Sequence, residues 1–177
     1  GKKFDIIESV GVLHHMENPL DGWKTLRDCL NPNGLMLIGL YSELSRQHIA
    51  KFRNEVGRAA AKKNDFELKC FRNKIKESQE QHCKTITLSN DFFSTSSLRD
   101  LLFHVQETSF TIPQIKDNLE ELGLVFCGFE NGKLVRDFKS RNTGISDQYD
   151  LNKWEIYETL HPNTFVGMYQ FWCQLKC

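Results

Sequence analysis

Two adjacent imidazoles, His14 and His15, stand in the short turn Gly11 to Met16 (GVLHHM), directly after an apolar run. Imidazole accepts a proton near neutral pH, so His14 is the candidate general base; paired histidines in a turn are more often structural. A second polar group, His104, Gln106 and Glu107, follows an apolar helical stretch, where pocket lining and exposed loop are both open readings. Tyr41 and Tyr169 end and begin two further apolar runs, which places them at one rim as candidates to line a substrate pocket. The six cysteines contain no C-x-x-C pair and no histidine at zinc-finger spacing. They are expected as reduced thiols of a cytosolic protein, with no metal site.

Lys plus Arg and Asp plus Glu each number 23, so the chain carries no global field to attract nucleic acid or an anionic membrane. The charge is uneven: Lys51 to Lys76 holds nine basic against three acidic residues, either a solvated helical face or a dock for an acidic partner. No apolar run reaches the ~18 residues of a membrane span, and no signal segment opens the chain. The chain begins on Gly1 and enters an apolar strand at once, which creates the expectation that it continues something longer.

The elements that must position these residues follow from periodicity. Phe4 to Val10 (FDIIESV) is too short for a helix and apolar on both sides, as an interior strand of a parallel sheet would be. Asn18-Pro19-Leu20-Asp21 supplies a cap and a proline at the first helical position, and Leu20, Trp23, Leu26 and Leu30 form one stripe. Asn31-Pro32-Asn33-Gly34 should end that helix, and Leu35 to Tyr41 should be the next strand, completing a βαβ unit. Residues 42–90 read as a helical insertion, with periodic Ile49, Phe52, Val56 and Ala60. A helix from Ser96 or Ser97 should bury Leu98, Leu101, Leu102 and Val105. Thr111-Ile112-Pro113-Gln114 caps another, with Ile112, Ile115, Leu119 and Leu122 inward and Gly123 as its left-handed stop. Strand Leu124 to Glu130 follows; Gly132 to Gly144 reads as polar loop; Asp150 caps a helix that turns Leu151, Trp154, Tyr157 and Leu160 to one face; Met168 to Leu175 closes as a strand.

Ligands of open α/β sheets bind beyond the carboxyl ends of the strands, the location of the turn Gly11 to Met16. The stretch FDIIESVGVLHHMENPLDGWKTLRDCLNPNGLMLIGLYSE, with its L-H-H turn and its L-x-P-x-G turn, resembles the fourth strand, helix and fifth strand of class I S-adenosylmethionine-dependent methyltransferases. Ser97 to Glu107 and Gly167 to Trp172 are similar to segments of bacterial methyltransferases sometimes fused to tetratricopeptide repeats. The resemblance implies an α/β fold: a partial Rossmann-like sheet of strands 4 to 7, the last antiparallel, with a helical insertion. The family's G-x-G-x-G strand end and ribose-binding acid are not found ahead of Phe4. The expectation is therefore the carboxyl-terminal part of one methyltransferase domain, lacking the amino-terminal cofactor-binding half as its partner and inactive alone.

By the same resemblance, Ser9, Val10 and Gly11 approach the methionyl part of S-adenosylmethionine through backbone atoms, and His15 orients the turn beneath it. His104, Gln106, Glu107, Tyr41 and Tyr169 are the candidates to meet the unidentified methyl acceptor. Two rival readings share these residues: a degenerate methyltransferase-like domain acting as a non-catalytic binding or regulatory module, and a nicotinamide dehydrogenase on a doubly wound sheet.

Overall fold

The structure, a computed structural model, describes residues 1–56, 64–104 and 107–176, which belong to two compact units. One comprises Gly1–Ser45 with Glu107–Cys177, and the other Arg46–Gln106. The sequence-predicted positions Ala60, Val105 and Gln106 lie outside the described residues.

In the sheet unit, β1 (Phe4–Val10) leads through a 3-10 turn, Leu13–His15, into α1 (Pro19–Asp28) and β2 (Leu30–Tyr41). The Asn18 side chain accepts from the Leu20 amide at 3.2 Å and donates to Asp21 at 2.7 Å, so the cap forms as its residues predict. The exit differs from expectation. Helix α1 ends at Asp28, and Leu30, expected in its stripe, pairs with Phe4 as the first residue of β2. The Asn-Pro-Asn-Gly segment bulges out of the strand, with Asn33 at φ 66°, before regular pairing resumes at Ile6 and Leu35. Asparagine tolerates that left-handed conformation better than most residues.

Beyond the helical unit, α6 (Ile112–Glu121) carries the expected capping box between Thr111 and Gln114, and Gly123 at φ 63° stops it. Strand β3 (Leu124–Phe129) follows. The segment from Gly132, expected as loop, is α7 (Gly132–Arg141). Asn131 caps α7 by accepting from Lys133 and Leu134, and the fully buried Phe138 stacks on Trp154 at 3.7 Å and 15°. Asp150 caps α8 (Leu151–Leu160), which buries Leu151, Trp154 and Tyr157 but leaves Leu160 at 69 % exposure. Strand β4 (Met168–Leu175) completes a four-stranded sheet of order β1-β2-β4-β3. Strands β1 and β2 run parallel, and β4 is antiparallel to both of its neighbours.

One face of this sheet is packed. Met36, Ile38 and Leu40 of β2 lie opposite Cys173, Phe171 and Tyr169 of β4, and all six are fully buried with Trp23 of α1, Ile115 of α6 and Trp154 of α8. The alternate residues face the other way. There Ile6, Val10, Leu35 and Val125 are each at least 37 % exposed.

The helical unit contains α2 (Gln47–Val56), α3 (Asp65–Glu77), α4 (Gln81–Ile86) and α5 (Thr95–Phe103). It extends past the expected limit at Asn90 because α5 shares its core: Leu98, Leu101 and Leu102 pack with Phe52, Leu68 and Ile86. In α3, Lys69, Lys74 and Lys76 are exposed while Leu68 and Ile75 point inward, so this part of the basic run is a solvated face. Among the described residues no helix is long and apolar enough to cross a membrane, and no three His, Cys, Asp or Glu are grouped to hold a metal.

Candidate functional site

Strand β1 ends at Val10, and Gly11 turns the chain with φ at 79°, a conformation that strains any residue with a Cβ. A Cβ built on Gly11 would meet nothing within 4 Å, so its backbone faces open space. Ser9 is buried on the packed face, whereas Val10, on the other, lies against Gly39 of β2. The turn then closes through bonds from the His15 amide to Val12 and from the Met16 amide to Leu13, each 3.0 Å. Leu13 plugs into the core beside Trp23. Gly22 of α1 lets Met16 sit down on the helix, since a Cβ there would lie 2.3 Å from the Met16 sulfur.

These contacts bring His14, His15 and Tyr41 together. The rings of His14 and Tyr41 lie 3.7 Å apart at 30°, and His15 meets His14 edge-on at 4.3 Å and Tyr41 at 5.8 Å. His14 is fully buried, while His15 and Tyr41 are half-buried. The carbonyl of His14 accepts from the Thr108 amide at 2.8 Å, which ties the turn to the returning chain next to the half-buried Glu107. That chain is itself fastened to the end of β2: Phe110 donates to Tyr41, Glu43 donates to Phe110, both at 2.8 Å, and Ser42 and Phe110 form a parallel bridge. Five predicted residues, Val10, Gly11, His14, His15 and Tyr41, thus gather at the carboxyl ends of β1 and β2.

Other predicted residues do not join them. Tyr169 shares no rim with Tyr41: it lies opposite Leu40, on the packed face, while Tyr41 pairs with Met168 on the other. A residue pair one register step apart across a strand ladder points to opposite sides of the sheet. The Tyr169 hydroxyl donates to the carboxylate of Glu158 (2.8 and 2.9 Å), which also accepts from Ser42 Oγ at 2.9 Å. Burial raises the Glu158 pKa against the opposing pull of these two donors, and burial with the adjacent Glu158 charge pushes the Tyr169 hydroxyl far up. The sequence does not show this cluster because Ser42 lies 116 residues from Glu158 and only the fold brings them together. Ser42 Oγ also accepts from the Ser45 amide at 3.1 Å, and the Ser42 amide donates to Gly167 at 3.0 Å. Gly167 ends a turn in which Val166, a β-branched residue, is held at φ 48°. His104 belongs to the helical unit, where it caps α5 with Nε2 3.8 Å from Asp100.

The arrangement offers an open backbone turn, which glycine holds without strain at the end of a parallel strand, backed by three packed aromatic rings. Such a turn can accept a ligand in close contact with main-chain atoms.

No family model matches the chain. It is 25% identical over 189 residues to an uncharacterized protein of Synechococcus sp., a match covering 93% of this chain and 44% of that protein. Two solved structures of PKMT2 from Rickettsia typhi share its fold, both with TM-score 0.63 and 15% identity. The one in complex with AdoHcy is covered over 36% of its chain by 99% of this one; the other is covered over 35% by 97%. The chain thus spans less than half the length of the proteins it matches.

Proposed function

We propose that the chain forms one wall of a site that transfers a methyl group from S-adenosylmethionine to an acceptor, the remaining cofactor contacts coming from polypeptide outside these residues. The observation that carries this reading is the open turn at Gly11, at a parallel strand end, in a fold shared with a protein that holds AdoHcy. S-adenosylmethionine brings a methyl carbon on a sulfonium; when an acceptor lone pair bonds that carbon, the C–S pair returns to sulfur and AdoHcy remains.

The chain's own residues bind and orient. Main-chain atoms of Val10 and Gly11 meet the methionyl part, and His15 supports the turn from below. Ser9 is turned into the packed face, so its contribution is limited to its backbone. His14 was the candidate base, but its ring is enclosed and stacked on Tyr41. We assign it the positioning of His15 and Tyr41 instead of proton transfer. In this reading the strands correspond to strands 4 to 7 of the class I sheet, and Tyr41 and Glu107 are the residues of the sheet unit that lie toward the acceptor.

Calorimetry with AdoHcy tests the reading. The complete natural polypeptide should bind, the 177-residue chain feebly, and His15→Ala in the complete polypeptide should weaken binding about tenfold, the worth of one ~1.4 kcal/mol contact. Micromolar binding by the chain alone would overturn the half-site. No binding by the complete polypeptide would overturn methyl transfer and leave a non-catalytic module on the same fold.

A further inference from the structure

Helix α7 and the turn that joins α8 to β4 face each other across a groove of about 870 Å³ within the sheet unit. Lys133, Arg136 and Asp137 of α7 line one wall, and Tyr157, Leu160 and Val166 line the other. Helix α7 carries Lys133, Arg136, Lys139 and Arg141 against the single acid Asp137, and no acid stands in its first turn. A cation in a first turn meets the positive end of the helix dipole, so Lys133 works against the helix that carries it. Asp137 offers no relief: its carboxylate accepts from the Tyr157 hydroxyl and lies 4.0 Å from Arg141 Nε. Among the described residues neither Lys133 nor Arg136 has an ion-pair partner. The amides of Lys133 and Leu134 are already bonded to the Asn131 side chain, so this wall presents its two side-chain cations and not its helix end.

The opposite wall is apolar and fixed in place. Leu160 is 69 % and Val166 87 % exposed, and Val166 stands at φ 48°. A β-branched residue rarely adopts that conformation, and such strain persists only where the surroundings over-determine it. Here Ser45 Oγ donates to the Pro162 carbonyl and the Ser42 amide to that of Gly167, both at 3.0 Å, which fastens the turn on either side of Val166. The turn therefore holds an apolar side chain out to water in one position.

We propose that this groove docks an extended acidic segment of a partner protein, in which acidic and aliphatic residues alternate. Charge complementarity selects the acid: a carboxylate fits the planar fork of Arg136, and Lys133, about one helical turn away, adds a second charge. Alternate side chains of an extended chain point to opposite sides, so acids directed at α7 leave the intervening aliphatic groups against Leu160 and Val166. Small-molecule sites enclose most of their ligand, whereas this rim is open, which favours a chain. A second lobe of about 310 Å³ continues the groove past Val166 to Glu130 and Gln170. The Glu130 carboxylate, which accepts from Trp172 Nε1, repels acid there and sets the acidic end of the segment over α7. The groove stands whether or not the chain serves methyl transfer.

Fluorescence anisotropy tests it, with a fluorescein-labelled Glu-Leu-Glu-Leu-Glu-Leu peptide as probe and the complete natural polypeptide as receptor. Binding should saturate below ~1 mM and weaken as salt is added. The Gln-Leu-Gln-Leu-Gln-Leu counterpart should bind at least ~10-fold more weakly, and the acidic peptide should lose as much on a variant carrying Lys133→Glu with Arg136→Glu. Val166→Ser, which leaves α7 untouched, should also weaken it. Lys139→Glu makes the same charge change on the same helix outside the groove and should bind as the wild type does. Absence of saturation, equal binding of the two peptides, unchanged binding by the double variant, or an equal loss with Lys139→Glu would overturn the proposal. Displacement by free N-acetylglutamate at the concentration where the peptide half-saturates would make the groove a small-carboxylate site and overturn it as well.

Discussion

Removing the Tyr169 hydroxyl, by Tyr169→Phe, isolates the buried carboxyl of Glu158. In the native protein that carboxyl is 5 % exposed and accepts from Tyr169 and from Ser42. Hydrogen bonds to a charged group contribute ~1.5–3 kcal/mol, and those between neutral groups ~0.5–1.5 kcal/mol. The substitution leaves the aromatic ring in the core, so the loss should reflect the bond and not a cavity. Its size should depend on pH, and the sign follows from the raised pKa. Burial lifts the Glu158 pKa above its unfolded value, the donors from Tyr169 and Ser42 hold it down, and Glu155 adds a smaller upward push. A carboxyl raised on folding contributes its full stability below the unfolded pKa of ~4.3 and loses it as pH rises through the folded pKa. Deleting a donor raises the folded pKa further, so the variant goes on losing stability to a higher pH than the wild type does. The gap between them should therefore widen with pH, from ~1 kcal/mol at the acid end, near the unfolded pKa, to ~2–3 kcal/mol at the alkaline end, above the folded pKa. Urea unfolding at both pH values, followed by tryptophan fluorescence, measures it. A gap that stays below ~0.5 kcal/mol, or one that is the same at both pH values, would refute the picture of a charged, hydrogen-bonded Glu158.

Two other substitutions probe the packing of the sheet unit. Phe138→Ala removes the fully buried ring that stacks on Trp154 and should cost ~3–5 kcal/mol, seen as a Tm lower by about 6–20 °C; a smaller shift would mean that α7 is not docked through this residue. Gly39→Ala would place a methyl group 2.7 Å from Val10 Cγ1 and 2.9 Å from Val10 Cα, at an overpacking cost of ~1–3 kcal/mol. Because the second contact is with backbone, Val10→Ala should rescue it only in part, and full rescue in denaturant melts would contradict the close β1–β2 approach.

Punctuation residues made much of this fold legible. Helix α6 announces itself through Thr111, Pro113, Gln114 and Gly123, all of which act where they stand. Helix α7 lacks that clarity: Leu134, Val135 and Phe138 make a narrow stripe among Lys133, Arg136, Asp137 and Lys139, and only the partner Trp154 shows why three apolar residues suffice. Leu30 fits a helical stripe by spacing, yet pairing with Phe4 claims it for β2, a tertiary fact that no local pattern carries. The position of the turn Gly11 to Met16 in the fold was readable, since a turn after an apolar parallel strand has few places to go. Which side of the sheet Tyr169 faces was not, because that depends on the register Tyr41 to Met168. The enclosure of His14 depends likewise on Tyr41, 27 residues away in sequence.

The bridge between Ser42 and Phe110 bears on how such a protein can be built. Adjacent strands lie only ~4.8 Å apart, so the chain leaves the sheet and returns to it through two neighbouring points. Everything from Arg46 to Gln106 is attached there. Closing so narrow a gap takes only a few residues, and the entropy of closure changes slowly with the length of what is enclosed. The helical unit is therefore exchangeable cargo: genes encoding this sheet can gain, lose or replace it in a single event without re-registering a strand.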